Sequence, residues 1–429
     1  MKLDYKKTIL LGLAFMSISS FWQMYDNVVP LILTNSFNLG ETMTGAIMAV
    51  DNLLALFLLP FFGTLSDRVE TRLGKRTPFI IAGTTVAVTA MMLLPYADNT
   101  RNFNLFIIAL GLVLLAMGFY RSPAVALMPD LTPKPLRSKA NAVINLMGAL
   151  GGVYSLIMIK LLVKGGATPN YLNLFISVAL FMILAVVVLV VAIPENKLRK
   201  EIAEMYPEEE PVVEEVVTDN KKSAPWPKDV QRSLMFILCS IFLWFTAYNA
   251  VTTAFSRYAT NVWMMENGGY ANCLMVATVA AIISYIPIGQ ISAKIGRKKT
   301  IMLGLLLLGS CFFAVGIMDG YHPIVNVGFA LVGLAWAAIG VNSLPMVVEM
   351  ASASDVGKYT GLYYTFSMAA QILTPIASGY LLEHVSYGTL FPYAVFFTAA
   401  AFLTMSQVKH GDSKPEAKKD FLENFDVDD

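Results

Sequence analysis

Long apolar runs separated by short charged or turn-forming stretches recur along the whole 429-residue chain. Twelve of them, over 8–34, 43–65, 78–97, 104–129, 140–163, 171–193, 233–262, 271–293, 300–318, 323–348, 358–382 and 387–408, are nearly free of charge. About 20 predominantly apolar residues carry a helix across the hydrocarbon core of a bilayer. None of the twelve runs alternates with the period of two that a barrel strand requires. The pattern predicts an all-α membrane protein with twelve transmembrane helices.

Two polar stretches interrupt the pattern. Residues 194–231 are rich in Glu, Lys and Pro, including Glu208–Glu210 and Pro225-Trp226-Pro227, and hold too few apolar residues to bury a core. Only their start, 195–206, reads as a surface helix. The tail from Lys409 is charged, ends Asp426-Val427-Asp428-Asp429, and is expected to be disordered. The chain therefore divides into a six-helix half over 1–193, a linker over 194–231, a second six-helix half over 232–408, and a tail over 409–429.

Composition agrees. The chain is 56% hydrophobic and 14% charged, with mean hydropathy +0.61, whereas soluble domains carry about 25% charged residues. A net charge of +1 gives no basis for a nucleic-acid partner. The first run follows Lys2, Lys6 and Lys7 but is too long for a signal peptide and lacks a small-x-small cleavage site, so it reads as a retained span. Cys239, Cys273 and Cys311 lie inside spans without metal-ligand or redox spacing and read as small packing residues. Lys and Arg concentrate in alternate loops: Arg68, Arg72, Lys75 and Arg76; Lys134, Arg137 and Lys139; the linker; Lys294 and Arg297–Lys299; and Lys358. The other loops hold Arg101, with Lys160 and Lys164 near a span end. Basic loops stay in the cytoplasm, so both termini are expected there, in a multi-pass cell-membrane protein.

The halves repeat. Gly63-Thr-Leu-Ser-Asp67-Arg68…Gly74-Lys75-Arg76 has a counterpart at Gly289-Gln-Ile-Ser-Ala293-Lys294…Gly296-Arg297-Lys298-Lys299, 226 residues on. Asp130, ending the fourth span, has a counterpart in Glu349, 219 residues on. Such repeats build transporters whose halves rock about a site at mid-membrane. The turn at 63–76 resembles the loop 2–3 signature of the major facilitator superfamily, with an insertion before Gly74. Ser66-Asp67-Arg68…Gly74-Lys75-Arg76-Thr77-Pro78-Phe79-Ile80 and Tyr120-Arg121-Ser122-Pro123…Asp130-Leu131 are similar to its sucrose-transporter-like branch of sugar:cation symporters. The resemblance implies the major facilitator fold, two pseudo-symmetric six-helix halves with spans 1, 4, 7 and 10 lining a cavity. It also implies a gate in which Asp67 and Arg68 or Arg72 pair with Asp130 when the cavity faces out. Glu349 marks the second copy, which has Ala293 in place of Asp67 and should clamp more weakly. The carboxylate that the plant sucrose carriers hold in span four would fall at Leu114, which is apolar.

An ionisable residue at membrane depth costs about 2.5–3.5 kcal/mol to insert and marks a functional candidate. Asp51 lies some eight residues into span two, near mid-depth, where a carboxyl group can take H⁺ or ligate Na⁺. Asp26 and Arg121 are the other cation-coupling candidates, and either carboxylate is a possible partner of Arg121. Trp22, Gln23, Tyr25 and Asn27 present aromatic and amide groups at helical spacing in span one, a surface suited to sugar hydroxyls and C–H faces. Tyr120, Asn141, Asn145, Trp244, Tyr248, Asn249, Thr253, Asn342 and Gln371 are further candidate substrate contacts. Arg257 lies closer to the outer end of its span, where it either lines the cavity or snorkels to the interface. No P-loop, H-E-x-x-H or Ser–His constellation appears, so an enzyme is not expected and no cofactor or metal is implied. The expected function is cation-coupled symport of a neutral sugar, such as an α-glucoside or small oligosaccharide, with H⁺ or Na⁺, by a monomer in a lipid bilayer. Proton-driven efflux of amphipathic compounds and a non-transporting membrane sensor are the alternatives.

Overall fold

The computed structural model describes residues 3–133, 136–164, 169–205, 228–350 and 356–412. The linker beyond Met205 and the expected disordered tail beyond Asp412 lie outside them. Thirteen α-helices run through the described residues: α1 (Tyr5–Leu31), α2 (Glu41–Arg68), α3 (Thr77–Asn99), α4 (Phe103–Asp130), α5 (Arg137–Leu162), α6 (Leu172–Ala192), α7 (Glu195–Met205), α8 (Lys228–Asn261), α9 (Tyr270–Ile295), α10 (Arg297–Gly316), α11 (Val325–Val348), α12 (Val356–His384) and α13 (Leu390–Ser406). No strand is present among the described residues. In hydrocarbon every backbone N–H and C=O needs a partner within the chain, and a helix supplies it locally. The caps lie where the chain leaves that environment: the Asp4 carboxylate accepts from the Lys7 N–H at α1, and Asn102 from the Leu105 N–H at α4.

Eleven of these helices are long and apolar enough to span a membrane. The short α7 is the expected surface helix at the start of the linker. The remaining predicted span corresponds to α12, whose 29 residues suffice in length but whose centre carries Tyr363, Tyr364, Thr365, Ser367 and Gln371. The peripheral helices show the reverse: on α6, Leu184 is 63% and Val191 80% exposed, as lipid-facing side chains are.

Helix pairing makes the duplication visible. In the first half α1 packs on α5 and α6, α3 on α4 and α6, and α2 on α4. In the second half α8 packs on α12 and α13, α10 on α11 and α13, and α9 on α11, which repeats the scheme. Between the halves α2 meets α12 and α5 meets α9. The α1–α5 crossing is tight: a Cβ on Gly151 would sit 2.0 Å from the Met16 carbonyl oxygen, and Ser20 and Ser155 share a 2.7 Å hydroxyl contact beside it. Small residues replace the hydrophobic drive that helices lack in lipid.

Candidate functional site

A cavity runs between the halves as three connected compartments. The largest, about 660 Å³, is lined from the first half by Trp22, Gln23, Asp26, Arg121, Asn141 and Asn145, and from the second by Tyr248, Thr278, Tyr285, Trp336 and Tyr364. A second, about 470 Å³, shares Arg121, Tyr285, Trp336 and Tyr364 with it and adds Asn52, Trp244, Ser343 and Gln371. The third, about 250 Å³, shares Gln23, Asp26, Tyr248 and Thr278 with the largest and adds Asn27, Thr252 and Thr253. Sites for small molecules commonly have about 300–1,000 Å³ and a few placed polar groups. The second half offers a flat aromatic face: Tyr248 and Trp336 stack with ring centroids 3.7 Å apart and 6° between planes, and Phe245 meets Trp336 edge-on at 5.4 Å. The first half offers the amides of Gln23, Asn141 and Asn145 opposite.

The charged residues cluster on the wall of α1, α2 and α4. Asp51, Arg121, Trp22 and Leu114 border one crevice. Asp26, Asp51 and Arg121 act on one another electrostatically. The Asp51 Oδ1 accepts from the backbone N–H and the side-chain amide of Asn52, at 2.6 and 2.9 Å.

Four expected cavity residues lie elsewhere. Tyr120 is fully buried, and its hydroxyl pairs with Ser17 and the Ala14 carbonyl, joining α4 to α1. Asn342 is 1% exposed; Ser292 donates to its Oδ1 and its Nδ2 donates to the Ala338 carbonyl, so it joins α11 to α9. Tyr25 is fully buried among Phe21 and Trp22. Asn249 lines none of the three compartments. Consecutive residues on a helix point about 100° apart, so Tyr25, Tyr120 and Asn249 turn away where Asp26, Arg121 and Tyr248 face in.

At the face bearing the α2–α3 and α9–α10 turns, the cation that pairs with Asp130 and Asp67 is Arg76. Its Nε donates to Asp130 at 2.8 Å, and its guanidinium also holds Asp67 and Ser66. Arg68 and Arg72, expected in this role, are exposed. Both lie on the exposed side of the turn, while Arg76 is the N-cap of α3 and is buried against Asp130 and Asp67. Glu195, 1% exposed at the start of α7, accepts from the backbone N–H groups of Lys75, Arg76 and Thr77 at 2.7–3.1 Å. It thereby neutralises the positive end of α3. The second half repeats the device: Arg297 pairs with Glu349 at 2.7 Å, and Asp412 accepts from the Lys298 N–H at 2.9 Å at the start of α10.

The opposite face is closed by residues of both halves. Arg257 on α8 donates to Glu41 on α2 at 2.6 Å, and Tyr387 donates to the other Glu41 oxygen. Arg257 also donates to the Thr253 carbonyl at 2.8 Å, and Asn261 donates to the Tyr387 hydroxyl at 2.9 Å. The Glu383 carboxylate of α12 accepts from the Thr42 N–H at 2.8 Å. Arg257 is thus an inter-half ion pair rather than a snorkelling side chain. Glu41 falls in the stretch read as a loop between spans; the signal for it was Arg257, an intramembrane cation needing a carboxylate. The cavity reaches the other way, to Val125 and Asn141 near the turn-face ends of α4 and α5.

The family model of the Major Facilitator Superfamily matches residues 11–265 and 262–423. This chain belongs to that superfamily. Among similar proteins is the isoprimeverose transporter of Lactiplantibacillus pentosus, 21% identical over 79% of this chain and 69% of the relative. The glucuronide carrier protein homolog of Escherichia coli is 23% identical over 77% of this chain and 70% of the relative. The sucrose transport protein SUC3 of Arabidopsis thaliana is 29% identical over 29% of this chain and 24% of its own length. The inward-open xylose transporter XylE from E. coli has the same fold, with TM-score 0.66 at 15% identity, covering 96% of this chain and 97% of that one. The chain is a multi-pass membrane transporter, not an enzyme.

Proposed function

We propose that this transporter carries a neutral sugar, such as an α-glucoside or small oligosaccharide, together with H⁺ or another cation. The observation that carries this reading is the composition of the cavity between the halves: the stacked Tyr248–Trp336 face opposes the amides of Gln23, Asn141 and Asn145. Aromatic faces take the C–H faces of a sugar ring, and amides take its hydroxyls with directed hydrogen bonds. An efflux cavity for amphipathic compounds would be dominated by Met and Phe; the largest compartment has one Phe, Phe15, and no Met. The names of the sugar-carrying relatives favour the same substrate class.

Asp51 is the coupling carboxylate in this proposal, with Asp26 and Arg121 beside it. It borders the same crevice as Leu114, so in this proposal α2 supplies an acid beside the position where the plant sucrose carriers hold theirs on span four. The basic turns are taken as cytoplasmic, which makes this the inward-open state of a monomer in the cell membrane, closed outside by Glu41 and Arg257. Alternating access follows from rocking the halves. The test is uptake into proteoliposomes with an imposed pH gradient and a panel of sugars. Sugar-dependent proton entry is expected; its absence for every sugar, with H⁺ and with Na⁺, sinks the reading. In the same assay Asp51→Asn should reduce gradient-driven accumulation by about 100-fold, the scale of a lost charge-assisted contact of about 3 kcal/mol, while equilibrating exchange of sugar continues. Accumulation that survives unchanged removes Asp51 from coupling.

A further inference from the structure

The smallest compartment is chemically distinct from the other two. It contains no Lys, Arg or His among its lining residues, and each of its polar residues carries a side-chain oxygen. Asp26 contributes a carboxylate. Asn27, 1% exposed, donates through Nδ2 to the Gln23 carbonyl at 2.9 Å and leaves its Oδ1 buried without a protein partner. Thr252, Thr253 and Thr278 donate their hydroxyl hydrogens back along their own helices, at 3.2, 2.6 and 2.9 Å. That leaves their oxygen lone pairs for another ligand. Apart from Gln23 and Tyr248, the remaining wall is apolar and includes Phe312 and Phe329.

We infer that this compartment binds an alkali-metal cation. Carboxylate, amide and hydroxyl oxygens suit hard cations. Asp26 and the neighbouring Asp51, taken with Arg121, sum to one negative charge, which favours a monovalent ion; no group of three or more His, Cys, Asp or Glu able to hold a metal occurs among the described residues. An apolar wall lowers the local dielectric and strengthens the ion–carboxylate attraction. At about 250 Å³ the space suits a partly hydrated ion better than a disaccharide. Asp51 does not line it. The ligands come from both halves, Asp26 and Asn27 from α1, Thr252 and Thr253 from α8, and Thr278 from α9, so the ion would favour the state that brings them together. Thr253 also hands its carbonyl to Arg257, which sets the site against the Glu41 closure.

The site's chemistry stands by itself, but a part for its ion in transport, beside the cation taken at Asp51, rests on the symport reading. Isothermal titration of the detergent-purified full chain with NaCl and with KCl, at ionic strength held by choline chloride, should give saturable binding of one or both. Asp26→Asn should weaken it at least about tenfold, since a contact to a charged group is worth about 1.5–3 kcal/mol. Thr253→Val, which keeps the side-chain shape, should weaken it severalfold and guards against misfolding of the first variant. No saturable binding of either ion overturns the inference. So does wild-type affinity in both variants, or loss on Asp51→Asn while Asp26→Asn binds normally. Saturable binding with no sugar transport in proteoliposomes would sink the symport reading and leave the site standing; proton-driven sugar uptake without alkali-ion binding would do the reverse.

Discussion

Glu41 and Arg257 have side chains only 5% and 4% exposed, and they belong to different halves. Removing one member of a buried ion pair leaves an uncompensated charge and costs about 3–5 kcal/mol. That cost falls only on the state in which the pair is formed. A shift of about 3 kcal/mol changes a two-state ratio by about two powers of ten, so Glu41→Gln should depopulate the state closed at this face. Spin labels at Met43 and Val385, both exposed near the ends of α2 and α12, would report it as a longer distance. Glu41→Gln with Arg257→Gln should fall between the single variant and the parent, because the stranded charge is gone. A distance distribution that stays unchanged in the single variant would make this pair a static contact. The pair was half legible in the sequence: Arg257 was visible as a cation within a span, but its partner lies 216 residues away, a separation that no local pattern encodes. The same holds for Arg76, whose basic neighbours Arg68 and Arg72 are equivalent to it in charge and differ only in which way the turn aims them.

At the scale of elements, the spans were readable because the bilayer leaves a chain few choices, and because apolar length alone decides a span. Boundaries and facing were less so. α2 begins at Glu41 and α8 at Lys228, before the apolar runs that marked them, because a helix continues into the interface where polar side chains are tolerated. Cavity-lining residues were identified by type, and type does not distinguish Asp26 from Tyr25 or Arg121 from Tyr120; helical phase does. Close approach of helices also depends on positions that carry no chemistry. A Cβ on Gly45 would lie 2.0 Å from the Pro375 carbonyl oxygen, at the seam where α2 of one half meets α12 of the other. Backbone cannot yield there without the helices separating. Gly45→Val should therefore hold α2 and α12 apart at the Glu41 end and impair closure of that face, with reduced transport but an intact fold by circular dichroism. Thiol labelling of a cysteine placed at Thr42, whose backbone N–H now meets Glu383, should become faster. Unchanged labelling would mean that the seam has slack enough to take the added side chain.

For the whole molecule, the two faces are fastened in different ways, and this decides what a gate mutation can do. The Arg76 cluster ties α2, α3 and α4 together, and Glu195 adds α7; all belong to or follow the first half. The Arg297–Glu349 pair and Asp412 do the same for the second half. Both clusters are formed while the cavity reaches toward their own face, so they do not require closure of that face. The pairs that do cross between halves, Glu41 with Arg257 and Thr42 with Glu383, sit at the other end. A perturbation moves a conformational equilibrium only by its differential effect on the two states. Glu41→Gln acts on the present state and should open its face. Asp67→Asn removes a contact inside one half, which travels with that half as it rocks, so it takes nothing from the inter-half closure. If Asp67 makes a further contact across the halves in the outward-open state, its loss disfavours that state. Asp67→Asn should therefore leave the Met43–Val385 distance where it is or narrow its distribution, and should lower thermal stability by about 1–3 kcal/mol through the broken Arg76 contact, whose partner remains buried. A widened distance in Asp67→Asn would show that the turn controls the far face directly, and that the two fastenings are coupled rather than separate.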